Sequence, residues 1–302
     1  MNVLEIENLV KIYYSPFLRK KSYGLRGLNL KVKEGEIFGL LGPNGAGKTT
    51  TLKSIVGILK PTSGSIKLFE SYNIDRKKSL LGFLPENPYF YRHLTGYELL
   101  LFYSKIFKGK QSREKIYSLL DKVGIRNAAQ KKIGNYSKGM LQRIGFAQAI
   151  INDPAFVVLD EPMSGLDPIG RKELKDLIFQ LKQSGKTILF SSHILPDAEE
   201  ICERVGILKD GKIVSTGNLT EVLKETVSSI DIGIRGFYDT KILSKFGNIL
   251  QQGDIVYVRV DSEKKKDAVI KNAVNNGGSI VTIESRKKTL EDHFMEMIRK
   301  KR

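Results

Sequence analysis

The string Gly42-Pro43-Asn44-Gly45-Ala46-Gly47-Lys48-Thr49 has the spacing G-x-x-x-x-G-K-[ST]. Glycines at those places let a backbone curl closely enough for its N–H groups to face phosphate oxygens, at the positive end of a following helix. Lys48 suits the β- and γ-phosphates, and the hydroxyl of Thr49, next to Thr50, suits Mg²⁺. Further along, the apolar run Phe156-Val157-Val158-Leu159 ends in Asp160-Glu161. Two carboxylates at the tip of a buried parallel strand lie where such sheets bind ligands. Asp160 is then placed to hold Mg²⁺ through water, and Glu161 to orient or deprotonate an attacking water. The chemistry in view is phosphoryl transfer to water.

The surrounding elements must bring those strings together. Ile37 to Leu41 is a short continuous apolar run, as expected of a strand buried on both faces, and the glycine-rich loop leads from it into a helix over Thr50 to Leu59. Phe156 to Leu159 and Thr187 to Ser192 read as two more such strands, separated by a helix around Arg171 to Lys182. Before them, Leu4 to Ile12 and Leu28 to Lys33 alternate apolar and polar, and the second ends at Glu34-Gly35, a hairpin-like turn. From Asn87 to Ile150 the pattern is helical. Thr95-Gly96-Tyr97-Glu98 is a capping box opening onto Leu99 to Phe107, and Ser112 can cap Arg113 to Val123. The expectation is an α/β class, with a parallel-sheet core, an antiparallel β subdomain and a helical insert at about 87–150, all within residues 1–220. Residues 221–302 predict a small α+β domain, possible as a ferredoxin-like fold. Its strands are expected at Ile230 to Ile234, Ile255 to Val260 and Ser279 to Ile283, and its helices at Thr240 to Phe246, Glu263 to Val274 and Thr289 to Ile298. Ile249-Leu250 is a candidate extra hairpin arm.

A third string narrows the class. Tyr136-Ser137-Lys138-Gly139-Met140-Leu141-Gln142-Arg143 opens a helix just upstream of the Asp160 strand and resembles the signature motif of the ATP-binding cassette (ABC) ATPases. Ser164-Gly165-Leu166-Asp167 matches that family's D-loop, and His193, after Ser191-Ser192, its switch histidine. The resemblance covers Met1 to about Thr220 and implies a P-loop NTPase core of the RecA-like kind. It also implies a head-to-tail dimer, of two copies or of one copy with a related subunit, holding ATP between protomers. Ser137 and Gly139 would contact the γ-phosphate bound to the other chain's loop, Asp167 would connect the two sites, and His193 would hold the γ-phosphate and the attacking water. Tyr13, in Leu9-Val10-Lys11-Ile12-Tyr13, is the expected adenine-stacking aromatic, with Tyr14 adjacent.

The departures from the family pattern are specific. Its usual Leu-Ser-Gly-Gly-Gln stands here as Tyr-Ser-Lys-Gly-Met, so Lys138 could add positive charge near phosphate. Glu86, in Leu84-Pro85-Glu86-Asn87, stands where a glutamine usually touches Mg²⁺, and a carboxylate can still bind the metal. The loop Tyr14 to Ser22 is longer and more basic than usual. Aromatics are dense between Asn87 and Phe107 (Tyr89, Phe90, Tyr91, Tyr97, Phe102, Tyr103, Phe107). Most are expected in the core of the insert, and some along a groove that, by resemblance, receives a helix of a membrane-embedded partner. His93 and His293 read as surface or capping residues.

Composition bounds the rest. The chain has 302 residues, 41% hydrophobic and 27% charged, enough apolar matter for a core. No apolar run approaches the roughly 20 residues of a membrane span, the first residues lack a signal-peptide pattern, and a lone Cys202 excludes a disulfide framework and a Cys-based zinc site. Fifty Lys and Arg against 33 Asp and Glu give a net charge of +17, scattered rather than concentrated, which reads as solvated surface with some affinity for anionic lipid. The reading is an ATPase subunit of an exporter of drugs, lipids or polysaccharides, cytoplasmic and peripheral on the inner face of the membrane. It would use ATP and Mg²⁺, pair with integral-membrane subunits and bind no nucleic acid. The alternatives are a soluble ABC motor acting on ribosomes or nucleic acid, which usually carries two cassettes or a long coiled-coil insertion, and a P-loop kinase of a small metabolite, which needs no Ser137, Asp167 or His193.

Overall fold

The computed structural model describes residues 1–15, 20–73, 75–106, 112–223, 227–236, 240–287 and 289–292. The chain divides into two compact units, Met1–Leu219 and Thr220–Arg302.

In the first unit, β1 (Asn2–Ser15), β2 (Lys20–Lys33) and β4 (Ser63–Leu68) form an antiparallel sheet in the order β2-β1-β4. A second sheet has the order β5-β6-β7-β3-β8-β9, with β3 (Ile37–Leu41), β5 (Leu81–Leu84), β6 (Phe156–Leu159), β7 (Thr187–Ser192), β8 (Arg204–Lys209) and β9 (Lys212–Asn218). It is parallel except for the hairpin β8–β9. Continuous burial along β3, β6 and β7 is what apolar residues without alternation require, since helices or strands must cover both faces. One core lies between the two sheets, where Leu4, Leu9 and Leu28 meet Phe38, Leu40, Val158 and Leu189, with Leu52 and Ile55 of α1 (Lys48–Ile55). The turn at Glu34-Gly35 does not close a hairpin. β2 pairs with β1, and the turn passes the chain from one sheet to the other, with the Gly35 N–H donating to Thr187 Oγ1 at 2.9 Å.

The insert contains α2 (Gly96–Ile106), α3 (Arg113–Lys122) and the start of α4 (Lys138–Ile150); α5 (Pro168–Gln183), α6 (Leu195–Ile201) and α7 (Leu219–Leu223) follow. The Thr95–Glu98 box is reciprocal: Thr95 N–H donates to Glu98 Oε2 at 2.8 Å, and Glu98 N–H to Thr95 Oγ1 at 3.1 Å. Ser112 Oγ accepts from Lys115 N–H. The aromatics of this region differ from expectation. Among the described ones only Phe90 is buried, while Tyr89, Tyr91 and Phe102 are exposed, because α2 turns Leu99, Leu100 and Ser104 inward and leaves Phe102 and Ile106 outside. Phe107 lies outside the described residues.

The second unit runs β10 (Val227–Arg235), α8 (Thr240–Leu243), β11 (Asn248–Gln252), β12 (Ile255–Val260), α9 (Glu263–Asn275), β13 (Ser279–Lys287). All its strand pairs are antiparallel, in the order β11-β12-β10-β13, which is the ferredoxin-like β-α-β-β-α-β arrangement. Ile249-Leu250 is indeed a hairpin arm, within β11. Its core gathers Ile230, Ile232, Ile234, Val256, Val258 and Val269. Of the expected last helix, residues 290–292 are helical, capped by Thr289 and Asp292; the remainder, with His293, lies outside the described residues.

Candidate functional site

The glycine-rich loop joins β3 to α1. A Cβ on Gly42 would strike the Leu208 carbonyl oxygen, and one on Gly47, whose φ is +109°, would lie 2.6 Å from Gly24 O. These two positions require glycine because neighbouring backbone passes directly against the loop. Gly45 also has a positive φ, while Pro43 and Asn44 are exposed at the tip and Ala46 is buried. The Gly42 N–H donates to Ser192 O, tying the loop to the end of β7. The β8–β9 turn braces it from the other side: Gly211 N–H donates to Ala46 O at 2.9 Å, and Gly211 O accepts from Arg26 N–H of β2 at 2.9 Å.

Lys48 is buried, and its ammonium donates to Gly42 O at 2.7 Å and Pro43 O at 3.3 Å while standing 3.1 Å from Glu161 Oε1. The other oxygen of Glu161 lies 2.8 Å from His193 Nδ1. Glu161 itself holds φ at +48°, a left-handed conformation sparsely used by residues with a side chain, and its N–H donates to Ser191 Oγ at 2.9 Å. Ser191 in turn donates to Asp160 Oδ1 at 2.8 Å, and Thr49 Oγ1 donates to the same oxygen at 3.2 Å. Six residues thus converge, Asp160, Glu161, Ser191 and His193 from the ends of β6 and β7, and Lys48 and Thr49 from the start of α1.

Asp160 is fully buried, and its Oδ2 has no hydrogen-bond partner. Burial pushes its carboxyl up from the usual value, against the hydrogen bonds from Ser191 and Thr49. An orphaned buried carboxylate oxygen beside a threonine hydroxyl fits a hard divalent cation, which takes oxygen ligands and completes its shell with water and phosphate. Among the described residues no three acidic, His or Cys side chains surround a common point, so such an ion would depend on the nucleotide for further ligands. Glu86, two residues beyond β5, is exposed and forms no hydrogen bond with this cluster among the described residues.

Tyr13 and Tyr14 point to opposite sides of β1. Tyr13 OH lies 3.2 Å from Oγ1 of Thr50 on α1, with Lys11 Nζ 5.5 Å from its ring centroid, whereas Tyr14 is more exposed and meets Lys21. Of the pair, Tyr13 is the one beside the glycine-rich loop.

Ser137, Gly139 and Asp167 form a separate group. Ser137 Oγ caps α4 by accepting from Met140 N–H at 3.3 Å, and Asp167 Oδ1 caps α5 by accepting from Gly170 N–H at 2.7 Å. Among the described residues no hydrogen bond or ion pair joins them to Lys48, Asp160, Glu161 or His193. Tyr136, where the signature usually has leucine, donates its hydroxyl to Ala128 O at 2.8 Å and anchors the start of α4 in the insert.

Three residues that bond to the cluster or its loops were not assigned a place there from the sequence: Ser191, which bridges Asp160 and Glu161; Gln142, whose buried Nε2 donates to Pro162 O at 2.8 Å and holds the segment after Glu161 against α4; and Gly211. Two hydroxyls closing an apolar strand were a readable signal for Ser191, and Asp210-Gly211 between two strands was one for the turn.

A family model described as ABC transporter matches residues 25–164. An ABC transporter ATP-binding protein of Synechocystis sp. is 40% identical over 306 residues, covering 99% of this chain and 86% of its own. The chain belongs to the ABC transporter ATP-binding proteins. A bacitracin transport ATP-binding protein of Bacillus licheniformis is 35% identical, covering 98% of this chain and 97% of its own. A fluoroquinolones export ATP-binding protein of Mycobacterium tuberculosis is 34% identical, covering 90% and 87%. Among solved structures, a dimeric ATP-binding cassette in a post-hydrolysis state with ADP and phosphate superposes with a TM-score of 0.66 at 27% identity, covering 72% of this chain and 98% of the other. This ABC protein therefore has the P-loop NTPase fold and is an ATPase, binding and hydrolysing ATP. Among the described residues no helix is long and apolar enough to cross a membrane.

Proposed function

We propose that this ABC ATPase powers export through separate integral-membrane subunits, lying peripherally on the cytoplasmic face of the membrane and closing as a head-to-tail dimer around ATP. The observation that carries it is the division of the site: among the described residues no hydrogen bond or ion pair joins the Lys48–Glu161–His193 group to the α4 N-terminus with Ser137 and Gly139. A helix N-terminus set apart from its own chain's glycine-rich loop is suited to a phosphate bound by a second copy. Relatives named for bacitracin transport and fluoroquinolones export support the direction.

In this reading the backbone N–H groups of Gly42 to Thr49 and the Lys48 ammonium bind the β- and γ-phosphates, and Tyr13 stacks on adenine. Glu161 orients and deprotonates the attacking water, and His193 holds Glu161 and the γ-phosphate in register. Asp167 links the two sites of the dimer. Thr49 and Asp160, with Glu86 as an outer group, would hold Mg²⁺, which neutralises developing phosphate charge when bound. Phosphate recruited to Lys48 competes with Glu161 for the ammonium, so nucleotide binding itself releases the base.

The membrane partner would seat a helix in the groove lined by Ile58, Phe83, Pro88, Tyr89, Phe90 and Tyr103, beside exposed Tyr91 and Phe102. Exposed aromatics around an apolar groove with Lys53 and Lys78 on its edge have the character of an interface. The test is twofold. Glu161→Gln protein given ATP should elute as a dimer, and tagged wild type purified from its own cells in mild detergent should carry a multi-span membrane protein that Tyr89→Ala/Tyr91→Ala loses. A chain that stays monomeric with ATP, or that brings down ribosomes or nucleic acid instead, overturns the reading.

A further inference from the structure

Lys138 replaces a glycine in the signature motif, and its side chain lies flat across another glycine. A Cβ added at Gly165 would fall 2.9 Å from Lys138 Cδ and 2.5 Å from Cε, and closer still to Nζ. Gly165 has φ at +73°, so the turn Ser164–Leu166 exposes bare backbone where the lysine stem rests. One residue on, a Cβ at Gly139 would sit 3.6 Å from Leu166 Cδ2, an ordinary packing contact. The two segments therefore meet at both positions. Among the described residues Lys138 forms no ion pair, so its placement rests on this packing.

These contacts join two helix starts. Ser137 caps α4 immediately before Lys138, and Asp167 caps α5 two residues after Gly165. Each cap fixes its own helix, and neither crosses to the other. Lys138 is a side chain that spans the gap, with Cδ, Cε and the ammonium all lying over the Gly165 backbone.

We infer that Lys138 is a positioning residue that straps the Ser164–Asp167 turn to the N-terminus of α4, so that the turn and the phosphate-facing Ser137 move as one piece. The inference rests on the dimer reading above, in which Ser137 meets the second copy's nucleotide and Asp167 serves the other site. A larger residue than glycine at 138 and no side chain at 165 are then two halves of one device: the lysine needs the bare turn, and the turn needs the lysine to hold it. Loss of the strap leaves nucleotide binding at Lys48 untouched and misplaces the turn that must reach the second site.

The experiment measures ATP hydrolysis, ATP-induced dimerisation and melting temperature for Lys138→Gly, Lys138→Met, Gly165→Ala and the double variant Lys138→Gly/Gly165→Ala. Lys138→Gly should lower kcat on the order of tenfold with KM for ATP and melting temperature close to wild type, and Lys138→Met, which keeps the stem, should restore most of the rate. Gly165→Ala should cost more rate when Lys138 is present than in the Lys138→Gly background, since part of its effect is collision with the lysine. In the Glu161→Gln background, Lys138→Gly should still dimerise with ATP. Wild-type turnover in Lys138→Gly, strict additivity of the two substitutions, or a Met variant as slow as the Gly variant overturns the strap. So does loss of dimerisation on adding Lys138→Gly, which would make the ammonium a phosphate contact. Failure of Glu161→Gln alone to dimerise overturns instead the reading on which the strap rests.

Discussion

Lys48 and Glu161 form an ion pair 3.1 Å apart, each buried, with His193 on the far carboxylate oxygen and two loop carbonyls on the ammonium. The lysine proposed to bind phosphate and the proposed general base are therefore each other's counter-ion. Removing either partner strands the other's charge in a buried place, a loss of about 3–5 kcal/mol in comparable pairs. Glu161→Gln keeps hydrogen-bonding capacity toward Lys48 and His193 and should lower turnover by about 100-fold or more while ATP binding persists. Lys48→Ala should abolish measurable ATP binding and melt earlier than Glu161→Gln. Phosphate release, nucleotide titration and thermal unfolding check the set, and near-normal hydrolysis by Glu161→Gln would remove that residue from its role.

Ser191 serves two masters through one hydroxyl, donating to Asp160 Oδ1 and accepting from the Glu161 N–H. Ser191→Ala leaves both without that partner in a buried site, at about 1–3 kcal/mol. The expected loss in melting temperature is roughly 2–4 °C per kcal/mol for a unit of this size, with turnover reduced because Glu161 loses the bond that steadies its strained backbone. An unchanged melting temperature would mean water takes the hydroxyl's place.

Asp160 gives a pH dependence whose sign is fixed by burial. Its carboxyl is raised above the usual value, chiefly by desolvation. Between the unfolded and folded pKa values the folded chain keeps a proton that the unfolded chain has released, so stability from this group falls as pH rises through that window. Asp160→Asn removes the ionisation. The variant should melt higher than wild type near neutrality, and the gap should close as pH is lowered toward about 4, the ordinary carboxylate range. Thermal scans of both proteins across pH decide it; a gap independent of pH contradicts the assignment.

Every proposed site residue lies in the unit Met1–Leu219, and the unit Thr220–Arg302 has a separate apolar core around Ile232 and Val258. A chain ending at Thr220 should bind ATP with wild-type affinity. Titration of the truncated protein, with circular dichroism to establish that it is folded, checks this. A folded truncation unable to bind would place part of the nucleotide site beyond Leu219.

Strings that act locally were legible. The spacing from Gly42 to Thr49 encodes a loop between strand and helix without help from elsewhere, and the apolar run before Asp160 announces a strand end. Pairings across the chain were not: Ser191 meets residues 31 and 30 positions away, and Gln142 reaches Pro162 over 20. The strands β4, β5, β8 and β9 went unread, although β5 carries Leu81, Phe83 and Leu84 in four residues. Such short runs have no period to distinguish them from a turn of helix. Glu34-Gly35 looked like a hairpin because turn residues report a change of direction, while partner choice is made by the sheet. The aromatics of the insert misled for another reason: large apolar side chains predict burial by type, whereas α2 buries Leu99 and Leu100, leaves Tyr97 and Tyr103 half-buried and turns Phe102 outward.

Gly211 has a consequence for motion. Its N–H is bonded to Ala46 in the glycine-rich loop and its carbonyl to Arg26 in the strand paired with the one that carries Tyr13. One residue thus fastens the grip proposed for the phosphates to the grip proposed for adenine, and fixes the span between them like the jaws of a caliper set to one length. Separating the jaws would break at least one of these backbone bonds. The fold therefore holds the glycine-rich loop and the strand pair that carries Tyr13 at one spacing.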